Sequence, residues 1–331
     1  MPMTVIDTMQ DKAAQCRAAL SMTLTQTDFQ WGKKYCGKVR DTYELNDKLI
    51  LVTTDRQSAF DRQLASVPFK GQALNQTSAW WFQKTKAIFP NHIIGMPDPN
   101  VIIAKKCRVF PVEFVVRGYI TGTTNTSLWQ LYQQGLREIS GLRLPDDLQK
   151  NTPLAKPILT PTTKDSVHDK PITATEIVAQ GLMTQTEWDE VSKAALALYT
   201  VGANYANERG LILVDTKYEF GRDQAGNIVI VDEMHTQDSS RYWLAASYAE
   251  RMARGQEPDN FDKEILRLWF SQHCDPYHDK ILPEAPSELI VTLATRYVAL
   301  YEMLTQQPFD FLQTKESIHE RINRHLTTWL E

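Results

Sequence analysis

Hydrophobic positions recur with two different periods along this chain, and the change of period separates predicted strands from predicted helices. Runs rich in β-branched and aromatic residues predict strands at 49–55, 101–110 and 112–120. Apolar residues spaced three or four apart predict helices at 72–87 and 186–207. We therefore expect strands and helices to be mixed along the chain.

Other segments complete the predicted organisation. A hairpin is predicted at 211–233, where LILVDTKYEF is followed by a glycine-containing turn and then by NIVIVDE. Residues 141–165 contain several prolines with little periodicity and are expected to form a long functional loop. The first 28 residues and those after about 250 are expected to be helical, the latter serving in structural packing. Since hairpins and helices follow one another without regular βαβ alternation, the predicted fold class is α+β.

Composition narrows the class of protein. The 331 residues are 42% hydrophobic and 23% charged, which is typical of a folded globular chain. The net charge of −4 gives no overall attraction to nucleic acid or to an anionic membrane surface. No apolar run reaches the roughly 18 residues that a membrane-spanning helix needs. We expect neither nucleic acid nor a membrane as a partner.

Cysteine usage and the start of the chain indicate a compartment. The thiols lie far apart without a CxxC pattern, as expected in reducing surroundings: Cys16, Cys36, Cys107 and Cys274. The first residues, MPMTVIDTMQDKAAQ, lack an apolar secretory core. These features predict a cytoplasmic protein.

Histidines give no metal signal. His273, Cys274 and His278 lie close together, but a zinc site needs about four ligands and no second pair stands nearby. His168 and His235 lie beside acidic motifs and are expected to be surface residues or polar neighbours of a site.

The 211–233 hairpin carries the strongest chemical signal. Alternation places Asp215, Lys217 and Glu219 on one face of its first strand, and pairing across the turn is expected to bring Asp215 near Asp232. Clustered carboxylates raise one another's pKa unless a cation offsets them. Lys217 or a divalent metal would do so, and oxygen ligands favour Mg²⁺ or Mn²⁺. A solvated edge strand with a surface salt bridge accounts for these residues equally well.

Four other segments give weaker signals, each with a structural alternative. GKVRDTY (37–43) presents a basic turn that suits a phosphate, or it is a solvated hairpin. In 115–129, Arg117 and several hydroxyl residues precede a helix expected to begin near residue 126, which suits an anion or ordinary helix capping. DRQSAFD (55–61) and DEMHTQDSSRYW (232–243) are polar turns that bind a ligand or cap the neighbouring backbone.

Taken together and in this order, these strings resemble the SAICAR synthetase family. The resemblance spans about residues 30–245 and rests on GKVRDTYEL, TTDRQSAFD, KGQALNQTSAWWF, PVEFVVRGYITGT, LILVDTKYEFG and VDEMHTQDSSRYW, with PTTKDSVHD (161–169) also matching. The N-terminal extension and the helical tail are similar to the longer, yeast-like form of the family.

The resemblance implies a fold and a reaction. The implied fold joins a small antiparallel β lobe (1–112) to a larger α+β lobe (113–331) that holds the metal site and the C-terminal helices, with ATP in the cleft between them. The implied activity is an ATP-dependent carboxylate–amine ligase of purine biosynthesis. It would join CAIR, a carboxylated aminoimidazole ribotide, to L-aspartate and release SAICAR, ADP and phosphate. Mg²⁺ is the implied cofactor, and the implied assembly is a monomer or a homodimer.

Residue by residue, the resemblance implies three sets of contacts. ATP is expected to contact Lys38, Val39, Arg40, Arg108, Val109, Phe110, Glu113, Lys164, Glu219 and Asp232, with 108–113 as the hinge that meets the adenine edge. Glu219 and Asp232 are also the implied Mg²⁺ ligands, while Asp215 and Lys217 are implied beside the reacting carboxylate. The implied CAIR and aspartate positions are Asp55, Ser58, Asp61, Arg117, Thr123, His168, Asp169, Asp238, Ser240 and Arg241. Aspartate itself is expected near His168, Asp169 and the 141–165 loop.

Two other functions remain open on these residues. A kinase-like phosphotransferase with the same ATP cleft would form a stable phosphorylated product without aspartate. A non-catalytic nucleotide-binding regulator would bind ATP without turning it over.

Overall fold

The computed structural model describes residues 5–123, 127–139, 142–164, 170–261, 264–312 and 316–331. Two antiparallel sheets of five and six strands dominate the described part of the chain, and helices pack against both. This mixture confirms the predicted α+β class.

In chain order the described elements are α1 (Val5–Ala18), β1 (Lys33–Cys36), β2 (Arg40–Leu45), β3 (Lys48–Thr53), β4 (Arg56–Ala59), β5 (Arg62–Ser66), α2 (Lys70–Thr85), β6 (Ile93–Asp98), β7 (Val101–Lys105), β8 (Arg108–Val109), β9 (Val112–Tyr119), α3 (Leu128–Gln133), β10 (Glu138–Ile139), β11 (Leu142–Arg143), β12 (Pro153–Thr163), α4 (Ala174–Ala179), α5 (Gln185–Asn207), β13 (Leu211–Arg222), β14 (Ile228–Val231), β15 (Ser240–Leu244), α6 (Ala245–Ala253), α7 (Glu264–His273), α8 (Ser287–Thr305) and α9 (Ile318–Leu330).

The five-stranded sheet has the order β1-β2-β3-β7-β6. Its buried side chains include Tyr43, Ile50 and Val52, and they form one apolar cluster with Ile322 and Leu326 of α9. Helix α9, from the far end of the sequence, therefore completes the core of the N-terminal sheet.

The six-stranded sheet is organised around β13. This twelve-residue strand pairs with β9 on one side and with β14, β15 and β8 along different parts of its length. Helix α5 packs on β9, β12 and β13 and buries Val191, Ala195 and Leu198 in the largest apolar cluster. A strand with neighbours on both sides is held firmly, so the polar side chains of β13 have well-defined positions.

Residues 141–165 were expected to form a loop, and this prediction is wrong for 153–163, which form β12. The strand lies at the edge of the six-stranded sheet and pairs with β9. Thr163 donates its N–H outward, to the carbonyl of Lys170, so Pro161 has its missing N–H on the same outer side. Prolines are compatible with a strand when the absent donor faces away from the sheet partner.

The C-terminal helices return to the N-terminal elements. Helix α8 packs against α1 and α2, and α9 packs against β6. The division at residue 112 into two lobes stays a proposal, and the helices of the second segment are built into the first. None of the described helices has both the length and the hydrophobicity needed to span a membrane.

A buried ion pair fixes α9 to the sheet. Asp98 is fully buried at the end of β6 and accepts the Arg321 Nε–H at 2.9 Å, while Arg321 Nη2 donates to Asn100 Oδ1 at 2.7 Å. His325 Nδ1 lies 2.7 Å from the same carboxylate. The pair is well hydrogen-bonded, so removing one partner leaves a buried charge uncompensated.

We expect Arg321→Ala to lower the free energy of unfolding by about 3–5 kcal/mol, because Asp98 stays buried without its main partner. Arg324→Ala on the same helix is the matched control, since its pair with Glu316 is exposed and worth at most about 1 kcal/mol. Urea unfolding of both variants measures the difference. Equal losses would show that the Asp98 pair does not hold α9 in place.

Candidate functional site

Seven charged side chains meet where the two sheets face each other near the middle of β13. We call them the charge cluster: Arg40, Glu113, Lys164, Lys217, Glu219, Asp232 and Glu233. Arg40 comes from the five-stranded sheet, whereas the others come from the six-stranded sheet and the residues that follow its strands. Three cations face four carboxylates, so the cluster has one excess negative charge.

Lys217 lies at the centre of the charge cluster. Its Nζ is 2.6 Å from Glu219 Oε1, 3.0 Å from Glu113 Oε1 and 3.9 Å from Asp232 Oδ2. Burial by itself lowers the pKa of Lys217, but the three carboxylates outweigh it and hold the pKa above its usual value. Lys217 therefore stays protonated and supplies a fixed positive charge.

Arg40 connects the two sheets. Its guanidinium donates to the carboxylates of Asp232 and Glu233, and its Nε donates to Thr53 Oγ1 at 3.3 Å. Burial raises the pKa of Asp232, but Arg40, Lys217 and nearby cations lower it to about 2. Asp232 adopts a left-handed backbone with φ of 65°, which turns the chain out of β14 towards this contact.

The register of β13 corrects one prediction. Val231 lies opposite Glu219, so Asp232 follows beside Lys217 and not beside Asp215. Lys164, just after β12, donates to the other oxygen of Glu219. Lys217 and Glu219 do act from one face of β13 as alternation predicted.

A second site lies along β13 in the other direction. A cavity of about 350 Å³, which we call the arginine cavity, is lined by Arg117, Thr121, Gly122, Thr123, Ser127, Lys150, Asp215, Gln237, Asp238, Ser239, Ser240, Arg241, Trp243, Glu257, Pro258, Asn260, Glu264 and Arg267. Five of the predicted substrate residues meet here, and they are Arg117, Thr123, Asp238, Ser240 and Arg241.

Asp215 organises the arginines. Arg241 Nε donates to Asp215 Oδ1 at 2.9 Å, and Arg117 Nη1 donates to Oδ2 at 3.3 Å. Burial raises the pKa of Asp215, but the two guanidiniums outweigh this effect and the pKa falls below its usual value. Arg117 is also oriented by Thr160 Oγ1 at 2.9 Å, and Thr216 and Ser240 share a hydroxyl hydrogen bond of 2.8 Å. Two cations around one carboxylate leave positive charge available to an anion.

The charge cluster and the arginine cavity are adjacent. Asp215 and Lys217 are two residues apart on one strand, which separates their Cα atoms by about 7 Å. The cluster offers oxygen ligands and fixed cations, as metal-bound polyphosphate requires, and the cavity offers guanidiniums and hydroxyls to an anionic small molecule. The arrangement is suited to moving a phosphoryl group between two bound ligands.

The helix-capping alternative holds for part of the 115–129 segment. Ser127 caps α3, where its Oγ accepts the Gln130 N–H at 3.4 Å, whereas Thr123 Oγ1 donates to Glu264 at 3.1 Å. The expected helix is confirmed, although it begins at Leu128 and has only six residues.

The polar turn at 232–241 is anchored in the core. His235, expected at the surface, is fully buried, and its ring contacts the Tyr218 hydroxyl and the Trp81 ring. A Cβ atom on Gly202 of α5 would lie 2.2 Å from His235 Cε1, so only glycine leaves room for the ring. Tyr242 donates to the His235 carbonyl at 2.9 Å. The turn carries residues of both sites, and its buried histidine fixes its position.

The predicted phosphate loop at the β1–β2 turn divides in two. Arg40 belongs to the charge cluster, whereas Lys38 is exposed and pairs with Asp61 in the β4–β5 turn. The Val39 carbonyl accepts the Thr54 N–H at 3.0 Å, which ties the turn to the chain after β3.

The predicted adenine hinge forms the short strand β8. Arg108 and Val109 pair with Arg222 and Gly221 at the end of β13 and are exposed. Phe110 is buried, and its N–H donates to the Phe220 carbonyl at 2.9 Å. The hinge residues thus lie beside the end of β13, beyond the charge cluster.

Asp55 is hydrogen-bonded to the backbone at the start of α2. Its two oxygens accept the N–H groups of Gly71 and Leu24, both at 2.8 Å, and burial raises its pKa to about 6. Since Phe69 offers no side-chain cap to α2, Asp55 satisfies a first-turn donor of that helix. Neither Asp55 nor the β4 residue Ser58 is among the described residues that line the arginine cavity.

Two predicted residues are outside the part of the chain that the structure describes, and these are His168 and Asp169. His278 pairs with exposed Asp275 at 2.9 Å, and His273 stacks on Trp269. Among the described residues, no group of three or more His, Cys, Asp or Glu side chains is placed to hold a metal ion.

Several residues of the site were missed by sequence reasoning. Glu233 pairs with Arg40, and Gln237 lines the arginine cavity. One side of the cavity is closed by Glu257, Pro258, Asn260, Glu264 and Arg267. The sequence contains no local signal for the last group, because these residues reach the cavity only through the packing of α7 and the segment before it.

Comparison with known proteins identifies relatives of this chain. The family model described as SAICAR synthetase matches residues 33–283. The chain is 62% identical over 307 residues to phosphoribosylaminoimidazole-succinocarboxamide synthase of Legionella pneumophila strain Lens, covering 93% of this chain and 98% of that protein. It is 54% identical to the chloroplastic synthase of Arabidopsis thaliana, over 97% of this chain and 78% of the relative.

A solved structure shares the fold. SAICAR synthase from Saccharomyces cerevisiae, solved in complex with SAICAR, superposes with a TM-score of 0.75 at 30% identity, covering 87% of this chain and 99% of the yeast chain.

Proposed function

Since the chain belongs to the SAICAR synthetase family, we propose that it joins CAIR to L-aspartate in an ATP-dependent ligation that yields SAICAR, ADP and phosphate. One observation supports this proposal above the others: β13 carries the charge cluster and the arginine cavity side by side. A polyphosphate in the first and a ribotide in the second would have their reacting groups adjacent.

The chemistry explains why two adjacent sites are needed. A carboxylate is a poor electrophile because oxide is a poor leaving group. In the proposed reaction, a CAIR carboxylate oxygen attacks the γ-phosphorus of ATP and ADP leaves. The amine of aspartate then attacks the acyl phosphate carbon, and phosphate leaves with the amide bond formed. Positioning and charge stabilisation contribute most of the catalysis in such transfers.

We assign the ATP contacts to the charge cluster and the strands leading to it. Arg40 and Lys164 are placed to bind phosphate oxygens, with Lys38 at the exposed rim. We place the adenine beside β8 and the start of β9, in contact with Arg108, Val109, Phe110 and Glu113. Val39, in the β1–β2 turn, is assigned to ATP as well.

The charge cluster fits a magnesium ion. Glu219 lies on β13 and Asp232 directly follows the adjacent strand β14, so both can offer carboxylate oxygens to a metal. Mg²⁺ in phosphoryl-transfer sites takes one or two carboxylates together with substrate phosphates. A bound Mg²⁺ would neutralise phosphate charge during transfer. In the structure, Lys164 pairs with Glu219 and Arg40 pairs with Asp232. If the two carboxylates bound a metal instead, both cations would be available to contact phosphate.

We assign the ribotide to the arginine cavity. Arg117 and Arg241 suit its phosphate, with Thr123 and Ser240 supplying hydroxyls. Asp215 and Lys217 then lie beside the reacting carboxylate. Asp238 lines the same cavity and is a candidate contact for the ribotide or aspartate.

We propose that L-aspartate binds near His168, Asp169 and residues 141–165. A cytoplasmic location and a monomeric or homodimeric state are kept as predictions.

The test is an ADP-release assay with ATP and Mg²⁺. We expect ADP release to require both CAIR and L-aspartate, with SAICAR as the product detected by its absorbance. Release with CAIR alone and a stable phosphorylated product would support a kinase-like transferase. ATP binding without turnover in any substrate combination would support a regulator.

We expect Asp232→Asn to lower kcat by at least about 100-fold, since it removes a negative charge from the proposed metal site. Asp223→Asn in the turn of the same hairpin is the matched control, because Asp223 pairs with Lys105 outside the cluster. Near-normal turnover by Asp232→Asn would remove the metal role, provided thermal unfolding shows both variants folded.

Arg117→Ala is expected to raise the CAIR KM about 100-fold and to leave the ATP KM within twofold, since Arg117 lies in the arginine cavity and not in the charge cluster. Asp215 keeps Arg241 as a partner in this variant, which favours a folded protein. Steady-state kinetics with each substrate varied in turn measures the split. Equal effects on both KM values would contradict the anion-site assignment.

A further inference from the structure

Helix α8 reaches the arginine cavity through one buried tyrosine. Tyr297 is fully buried, and its hydroxyl oxygen lies 2.6 Å from Asp238 Oδ1 and 3.0 Å from Gln57 Oε1. A hydroxyl has one hydrogen to donate, and the nearer, charged acceptor is Asp238. The Tyr297 carbonyl accepts the Gln237 side-chain N–H at 2.9 Å. One residue of α8 thus holds two consecutive residues that line the cavity.

A buried lysine holds the other oxygen of the same carboxylate. Lys70, the first residue of α2, is fully buried, and its Nζ lies 2.7 Å from Asp238 Oδ2 and 5.8 Å from the centre of the Tyr297 ring. Two donors from two helices therefore fix the rotation and the position of Asp238. Removing either donor frees the carboxylate to turn or leaves an oxygen without its partner.

Asp238 lines the arginine cavity together with Gln237. An ionised carboxylate has about four lone-pair sites, so Asp238 can accept more hydrogen bonds than those from Tyr297 and Lys70. The adjacent Gln237 is buried and also lines the cavity, and no described residue donates to its Oε1. Two acceptors thus stand beside the guanidiniums of Arg117 and Arg241, which bind anions. A ligand that has both an anionic group and hydroxyl or amine donors matches this combination.

We propose that Tyr297 and Lys70 are positioning residues, which orient Asp238 to accept a hydrogen bond from a hydroxyl or amine group of the substrate in the arginine cavity. This inference rests on the proposed function, since it takes the cavity to be a substrate site. It assigns α8 a part in substrate binding, where the sequence predicted packing alone.

The experiment compares Tyr297→Phe, Asp238→Asn and the double variant by steady-state kinetics with CAIR, aspartate and ATP varied in turn. Asp238→Asn should raise the KM of CAIR or of aspartate at least about 30-fold, and the substrate affected identifies the donor. Tyr297→Phe should raise the same KM about tenfold and leave the ATP KM within twofold. Because Tyr297 acts through Asp238, the double variant should be no worse than Asp238→Asn alone.

Tyr301→Phe is the matched control. Tyr301 is one turn further along α8, is almost equally buried, and donates to Gln307 at 3.3 Å away from the cavity. It should keep all three KM values. Lys70→Met tests the second clamp and carries the experiment if Tyr297→Phe does not fold. It should raise the same KM as Asp238→Asn.

The two proposals fail in different ways. Wild-type KM values for Tyr297→Phe, an equal rise of all three KM values, or effects that multiply in the double variant would overturn the positioning role while Asp238→Asn remains impaired. Wild-type kinetics for Asp238→Asn would instead remove Asp238 from the substrate site, and the positioning role with it.

Discussion

Compensation of buried charge is the constraint on which the rest of this structure depends. Lys217 is half-buried among Glu113, Glu219 and Asp232, where each charge is compensated by its neighbours. The strands that carry them must therefore keep their register, and Arg40 must reach across from the other sheet. The same ion pairs that hold the sheets together prepare the charges that a polyphosphate would meet.

Elements of the fold could be predicted from the sequence where the signal is local. Strands rich in β-branched residues, the 211–233 hairpin and the long helix α5 all follow from periodicity, and alternation alone placed Lys217 and Glu219 on one face. Prediction failed where the outcome depends on a neighbour. Pro161 indicates a loop unless the strand that contains it is known to lie at the edge of a sheet. Asp215 and Asp232 are not neighbours because the β13–β14 register places Val231 opposite Glu219, and the turn sequence does not specify that register.

The candidate site shows the same division. The motif resemblance implied that four residues lie near the substrate, and in the structure all four line one cavity: Arg117, Asp215, Ser240 and Arg241. The resemblance also implies a ligand near Asp55, and it does not reveal that this carboxylate accepts the Gly71 N–H in the first turn of α2. The contact of Tyr297 with the cavity could not be predicted from the sequence, because a tyrosine within the apolar helix SELIVTLATRYVALYEMLT has the pattern of an ordinary core residue. Its role depends on the hydroxyl meeting a residue 59 positions away.

The pair that fixes α9 to β6 also bears on how the protein is made. Asp98 and Arg321 are 223 residues apart, and ribosomes add about 5–20 residues each second. The N-terminal sheet would therefore emerge roughly 10–45 s before the helix that covers its core. During that interval its apolar face is open to solvent and to other chains. A nascent chain at this stage would present the kind of apolar surface that chaperones bind.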